Sequence, residues 1–388
     1  MNLSTTWYVD SSSVLFQLVA YSYKHSKNQH YAYIVLKEYH ESKEGIDLKK
    51  FIIDDLQNVV FLGFLEDIKI NSRKINFMVN NDKSFQYPYL NSIPVFRSGS
   101  NFRKVYPPWK KSIRLLHGIE DYLAEAFPKV PLKYKVAEFI RKFKAFFQFF
   151  KNGHSALLRN IGEKLSINLN YCFYNTNNKN LIELDNLVSD HFNKVLKKNN
   201  IVFNNTFFRF GSERILLFIL PISVEVFQFS KFDVKDYYEK FIEYNLSEIE
   251  KLVNKFDKPF SLFVIPHPTD SINKSKNTVE YSKFTLELIE KLKNIYEDIS
   301  FVGDYIKAGY STQIAYEVFE LILKPDYLLA CYPSCAIITS QISANNKIIA
   351  NYQSKDFINY IYEKSINRFF RIFGEDFIYK NLFNRMSS

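Results

Sequence analysis

Short apolar runs that end in turn residues alternate with helix-period segments through both halves of this 388-residue chain. The pattern is that of an α/β fold with parallel sheets, because two parallel strands need a crossover and a helix is the usual one. Residues 7–9 read as a strand that passes through Asp10-Ser11-Ser12-Ser13 into 14–23, where apolar positions recur at helical spacing and Ser11 to Ser13 supply the cap. Residues 31–36, 59–62 and 112–116 read as further strands. In the second half, 216–220, 261–265, 299–302, 327–331 and 347–350 read as strands, and 237–256, 279–295, 312–323 and 334–343 as helices. Asn-rich stretches at 175–179 and 198–205 read as surface loops near a domain boundary. The length predicts two domains. We place an N-terminal one at 1–200 and a C-terminal one at 201–388, both Rossmann-like and facing a cleft, with a helical tail at 356–384 packing back across both.

Composition narrows the setting. Hydrophobic residues make up 47% and charged residues 24%, which is ordinary for a globular protein and excludes a disordered chain. The three cysteines, Cys172, Cys331 and Cys335, show no metal-like spacing, so a reduced, cytoplasmic protein is expected. The first eight residues lack a charged region followed by an apolar one, so no signal peptide is expected. The longest apolar run, 215–224, is broken by Pro221 and is too short to span a bilayer. The net charge of +10 implies an anionic partner: an acidic polymer, nucleic acid or an anionic membrane surface.

Part of that charge is concentrated in residues 129–151. Lys129, Lys133, Lys135, Arg141, Lys142, Lys144 and Lys151 interleave there with Val136, Phe139, Ile140, Phe143, Phe146, Phe147 and Phe150 at i, i+3, i+4, i+7 spacing. This is a basic amphipathic helix. Its readings are a partly buried helix with snorkelling lysines, an attachment to the inner face of an anionic membrane, or a groove for an acidic glycan. Arg97, Arg103, Lys104, Lys110, Lys111 and Arg114 extend such a groove.

Three segments carry candidate chemistry. Residues 263–265 form an apolar run that ends in Pro266-His267-Pro268, a histidine bracketed by prolines at a strand end. Residues 327–332 form another that ends in Pro333-Ser334-Cys335-Ala336 at the start of a helix-like segment. A βα turn ending in Ser offers free N–H groups, a hydroxyl and the positive end of a helix dipole to a phosphate, although capping alone explains such a Ser. The third segment is Glu120-Asp121, adjacent carboxylates after the strand at 112–116, suited to a general base and equally to an ordinary helix start. Ligands of open α/β sheets bind at the carboxyl ends of the strands, where all three segments fall.

In their order and spacing these segments resemble the bacterial sialyltransferases and polysialyltransferases of GT-B fold. Ile119-Glu120-Asp121-Tyr122 resembles the family's acidic D/E-D/E-G motif, Ile265-Pro266-His267-Pro268 its HP motif, and Pro333-Ser334-Cys335 its Ser-Ser motif. The opening Ser11-Ser12-Ser13-Val14-Leu15-Phe16-Gln17-Leu18 is similar to the family's first turn, where S-P-x-Q-L is usual. Tyr122 stands where the family has Gly, and Cys335 where it has a second Ser.

The resemblance implies inverting transfer of a nonulosonic acid from a CMP-activated donor substrate, with no cofactor and no metal. Glu120, with Asp121 its rival, would be the base. His267, Pro268, Ser334, Cys335 and Glu317 would bind the donor, with His267 and Ser334 on the phosphate. Arg103, Lys104, Arg114 and Lys142 would line the acceptor side. A polyanionic acceptor points to a capsular polysialyltransferase, and a lipooligosaccharide sialyltransferase or a CMP-Kdo-type transferase is the alternative. A nucleic-acid-binding protein is disfavoured because no RNP-like, KH or zinc-finger pattern occurs. A Ser-His-acid hydrolase lacks its G-x-S-x-G elbow. A glycan-binding relative without catalysis is the third competitor. The sequence leaves the oligomeric state open.

Overall fold

Strand β1 (Thr5–Val9) is buried at every position, as expected for a strand inside a parallel sheet covered on both faces. The computed structural model describes residues 4–36, 42–66, 92–97, 113–115, 167–169, 179–202, 207–219, 259–267, 272–273, 278–330 and 347–348, with isolated helical positions at 132, 136 and 140 and between 239 and 254. After β1 come α1 (Ser12–Lys24), β2 (His30–Leu36), α2 (Lys43–Asp54), β3 (Val59–Glu66), β4 (Ile93–Arg97), β5 (Ile113–Leu115) and β6 (Ile167–Leu169). These six strands form one parallel sheet in the order β3-β2-β1-β4-β5-β6, the doubly wound order with its switch point between β1 and β4.

The second sheet repeats the plan. Helix α3 (Lys179–Lys198) leads to β7 (Glu213–Ile219), β8 (Phe260–Pro266), a short antiparallel pair β9 (Ile272–Asn273) and β10 (Thr278–Val279), α4 (Lys283–Ile295) and β11 (Ile299–Phe301). A 3-10 turn (Val302–Asp304), α5 (Ala308–Ser311), α6 (Tyr316–Leu323), β12 (Tyr327–Ala330) and β13 (Lys347–Ile348) follow. The order is β11-β8-β7-β12-β13, all parallel, with the switch point between β7 and β12. The expected α/β class with parallel sheets is therefore what the chain adopts.

Several expected boundaries differ. The helix expected from 279 begins at Lys283, because the Ser282 hydroxyl accepts from the Thr285 N–H at 3.1 Å and Thr278–Val279 pair as a strand instead. The helix expected at 312–323 is two helices, α5 and α6, separated by an extended Ala315. Ser11 occupies the N-cap position of α1, but its side chain makes no cap bond, contrary to the expectation for the Ser run. Helix α2 was not anticipated, although the Ser42 hydroxyl caps it by accepting from the Gly45 N–H at 3.1 Å. Strand β4 was also not anticipated. It carries Pro94 near its start, and β5 pairs with it only from Val95 onward. The expected helices at 334–343 and 356–384 lie outside the described residues.

One apolar cluster runs through both sheets. Helix α3 joins them: Leu184, Val188, Phe192, Val195 and Leu196 are buried on it, and it packs on α1, α2 and α6. His191 fastens the same junction, with Nε2 donating to the Ile52 carbonyl at 3.0 Å and Nδ1 3.1 Å from the Tyr23 hydroxyl. In the basic segment, Leu132, Val136 and Ile140 are helical and exposed, so these positions of its apolar face are uncovered. Among the described residues no helix is long and apolar enough to cross a membrane.

A helix that returns between parallel strands starts at the carboxyl edge of its sheet. The start of α2 meets the segment after β11 through two glycines, which brings the carboxyl edges of the two sheets together. A Cβ at Gly45 would sit 2.7 Å from the Gly309 carbonyl oxygen, and one at Gly309 would run into the Ser42 hydroxyl. Backbone cannot yield as a side chain does, so Gly45→Ala is expected to lose about 1–3 kcal/mol in urea unfolding, and Gly309→Ala less, because the Ser42 hydroxyl can rotate away at the cost of its cap on α2.

A buried chain of hydrogen bonds pins the opposite edge of the first sheet. Trp7 Nε1 donates to Thr5 Oγ1 at 2.8 Å, Thr5 Oγ1 lies 2.8 Å from His30 Nδ1, and His30 Nε2 lies 3.3 Å from the His25 carbonyl. A neutral His30 protonated at Nε2 satisfies both contacts, accepting from the Thr5 hydroxyl at Nδ1 and donating to the His25 carbonyl from Nε2. Burial lowers its pKa to about 4, below the 6.5 of an ordinary histidine. The unfolded chain thus takes up this proton first. The contribution of neutral His30 is complete above pH 6.5 and is lost as the pH falls towards 4. Relative to His30→Gln, the wild type should lose on the order of 2–3 kcal/mol between pH 7 and pH 4.5, measured by urea unfolding at each pH.

Candidate functional site

His267 follows the last residue of β8, at the carboxyl edge of the second sheet. The apolar run before it forms the strand because Ser261 to Pro266 are all buried, sandwiched between neighbours on both faces. Register places this edge accurately. Pro266 pairs with Ile219 of β7, and Ala330 of β12 pairs with Phe218 of β7. His267 and the chain leaving β12 therefore emerge from the same edge, two strands apart, or roughly 10 Å. The switch point between β7 and β12 lies between them, where a crevice is expected in such a sheet.

Burial pushes the His267 imidazole down to about 4, so it is neutral at physiological pH. A neutral imidazole offers a phosphate one N–H rather than a full charge. Glu317 lies in the first turn of α6, the helix that leads into β12, and so at the same edge. Burial raises it to about 7, opposed by its own backbone N–H and reinforced by the charge of Glu320. Glu320, buried one turn further on, accepts from the Tyr316 hydroxyl at 2.6 Å. The structure thus places two of the expected donor residues, His267 and Glu317, on one edge.

The remaining expected site residues are not placed. Glu120, Asp121, Pro268, Ser334, Cys335, Arg103, Lys104 and Lys142 lie outside the described residues. Of Arg114 the structure describes the backbone, opposite Phe96 in the pairing of β4 with β5.

The first sheet carries an ion pair at its own switch point, between Asp10 and Arg97, where the sequence reading saw in Arg97 only one cation of a groove. Trp7 pairs with Val95, which sets Arg97 at the end of β4 level with Val9, immediately before Asp10. Arg97 Nε donates to Asp10 Oδ2 at 3.0 Å. The Ser11 hydroxyl donates to Asp10 Oδ1 at 3.3 Å and lies 3.2 Å from the Ser13 hydroxyl. One turn along α1 from Ser13 is Gln17, buried, whose Oε1 has no hydrogen-bond partner among the described residues. An Asp closing an apolar strand and an Arg closing another were the available signals, but nothing in the sequence says that these two strands are neighbours.

No family model matches the chain, and no curated protein does. Among solved structures it is similar to the GT-B domain, residues 113–497, of a sialyltransferase from Photobacterium damselae, at 12% identity and a TM-score of 0.43 over 87% of this chain and 88% of that one. It is also similar to the 2,6-sialyltransferase of the Vibrionaceae bacterium Photobacterium sp. JT-ISH-224, solved with CMP and lactose, at 10% identity and a TM-score of 0.44 over 95% of this chain and 76% of that one.

The neutral state of His267 has a direct signature. In an NMR pH titration of the free protein its ring should titrate near pH 4, well below an ordinary histidine. Saturating CMP should move that midpoint upward, because a phosphate beside the ring favours the charged form. A free-protein midpoint near 6.5 would mean that the strand end is open to water.

Proposed function

We propose that this protein is an inverting glycosyltransferase that moves sialic acid, or a related nonulosonic acid, from a CMP-activated donor to an acidic glycan acceptor. The observation that carries the reading is the emergence of His267 and of the chain leading to Ser334 from one carboxyl edge, on either side of a switch point. The sequence resemblance asks for that placement of the HP and Ser motifs, and the opposed carboxyl edges of two parallel sheets suit a donor on one side and an acceptor on the other.

On this reading the acceptor hydroxyl attacks the anomeric carbon of the sugar as the bond to the CMP phosphate breaks. The proton of the hydroxyl passes to Glu120, or to its neighbour Asp121, and CMP leaves as the intact nucleotide, with the electron pair of the broken C–O bond on its phosphate oxygen. His267 and Ser334 hold that phosphate, Pro268 and Cys335 shape its loops, and Glu317 contacts the nucleotide from α6. The helix expected after Ser334 would add its positive end to the stabilisation of the leaving group. Removing one such preorganised donor costs roughly 100- to 1000-fold in rate. The scheme calls for no metal. Arg103, Lys104, Arg114 and Lys142 complement the acceptor, and the net charge of +10 favours a polysialic acceptor of capsule synthesis over a lipooligosaccharide. Such an enzyme works in the cytoplasm, held at the inner face of the membrane by its basic helix.

The test compares thermal shifts with CMP, CDP, UDP and GDP for the wild type and His267→Ala. A nucleotide at ten times its dissociation constant adds about 1.4 kcal/mol of stability. Cytidine nucleotides alone should raise the melting temperature, and the mutant should lose the shift. Stabilisation by UDP or GDP in their place would overturn the donor assignment. For the base, Glu120→Gln should keep the CMP shift and abolish transfer. Full transfer by Glu120→Gln with none by Asp121→Asn would move the base by one residue.

A further inference from the structure

We propose that Gln17, buried behind the first turn of α1 at the switch point of the first sheet, receives a hydroxyl group of the acceptor glycan. This deepens the function proposed above and rests on it.

Gln17 is 7% exposed, and its Oε1 has no hydrogen-bond partner among the described residues. A bare buried oxygen is costly, because water has been removed from it and nothing replaces the lost bond. Val14, Leu15, Leu18 and Val19 around it on α1 are all buried, so an apolar side chain at 17 would suit the helix better than an amide. The side chain of a helical residue leans towards the N-terminus of its helix, so the Gln17 amide reaches back over the turn that carries Ser13, four residues earlier. That turn lies at an opening. Helix α1 begins at Ser12, just after β1 ends at Val9, and β1 flanks the reversal of strand order in the first sheet. A doubly wound sheet has its crevice there, outside the carboxyl ends of its strands.

Two further features select the ligand. The first N–H groups of a helix have no partner within it. In α1 the N-cap Ser11 makes no side-chain bond to them, and no acidic side chain stands in the first turn. These groups ask for an acceptor. Ser13 asks for a donor, as Gln17 does. The Ser11 hydroxyl gives its hydrogen to Asp10 Oδ1, so Ser13 donates in the 3.2 Å contact between the two serines and keeps its lone pairs for another group. A carboxylate or a phosphate would satisfy the N–H groups but brings no hydrogen for Oε1. An ammonium brings hydrogens but no lone pair. A hydroxyl both donates and accepts, and a glycan presents many. Oε1 gives up no hydrogen bond when the amide turns towards the crevice, so little opposes the movement that admits the ligand. The ribose of the donor carries hydroxyls too, but the donor is assigned to the edge of the second sheet, at His267. Gln17 is therefore a binding residue on the acceptor side.

The test uses the full-length protein, with a sialic acid trimer as acceptor probe and CMP as donor-side probe in isothermal titration, and thermal melting without ligand. Gln17→Met nearly conserves the volume and removes the amide. It should weaken the trimer about three- to tenfold and leave CMP within about twofold. The same variant should melt about 1–3 °C above the wild type, because apolar atoms replace a bare oxygen. Stability gained as binding is lost separates a ligand group from a structural one, whose removal would lower both. If Gln17→Met does not fold, Ser13→Ala carries the test, with the trimer weakened about two- to fivefold and CMP unchanged.

A lower melting temperature for Gln17→Met would overturn the proposal, because Oε1 would then have a partner in the fold. An effect confined to CMP would also overturn it and assign the turn to the donor. A wild type that binds the trimer through Gln17 but does not bind CMP would leave this site standing and refute the donor reading. A wild type that binds CMP and shows no Gln17 effect on the trimer would do the reverse.

Discussion

The distance between the carboxyl edges of the two sheets is set by a contact that no side chain can relax. At Gly45 the start of α2 lies against the backbone carbonyl of Gly309, and a single methyl group there would meet that oxygen at 2.7 Å. Everything proposed for the chemistry depends on this approach, because the ends of β8 and β12 belong to one sheet and the ends of β1 and β4 to the other. The buried face of α3 supplies the cohesion, joining both sheets in one apolar cluster, while the glycines set the limit of approach. Cohesion without that limit would allow many relative placements, and a steric limit without cohesion would allow separation.

The parts of the fold legible in the sequence are those whose signal is local. Strands such as β7, β8 and β12 are apolar runs of Leu, Ile, Val and Phe with buried centres (Ile215 to Leu217, Ser261 to Pro266, Leu328 and Leu329), and their existence is legible from those runs. Their ends were less legible. The start of α4 depends on which serine caps it, and Ser282 competes with earlier residues that pair instead as β10. Strands β4 and β6 were invisible for different reasons: β4 contains Pro94, and β6 is only three residues long. Both hold their place through neighbours distant in the chain, which no window of sequence contains.

The candidate site divides along the same line. His267 was legible because prolines on both sides and an apolar run before it announce a strand end. Its neutrality was not, since the depression of its pKa comes from burial in the folded chain. The Asp10–Arg97 pair was not legible either. Arg97 reads as one more cation in a basic stretch until the strand order shows that β4 lies beside β1, 87 positions separating the paired residues. The Ser run after β1 reads as a helix cap, yet Ser11 spends its hydroxyl on Asp10 rather than on the helix.

The two edges therefore handle anions by different physics. At the second sheet burial lowers the charge of the polar groups: His267 is neutral, and Glu317, raised to about 7, is only about half ionised near neutral pH. Such groups attract a phosphate weakly at a distance and act through hydrogen bonds at contact, which suits a group that must bind as part of the donor and depart as a product. At the first sheet a permanent cation is retained and its direction is set by a buried counter-charge. A permanent charge draws an acidic polymer from further away, and its pull weakens with salt. On the proposed reading, that difference suits a phosphate that must be released in every cycle at one edge and an acidic acceptor drawn towards the other.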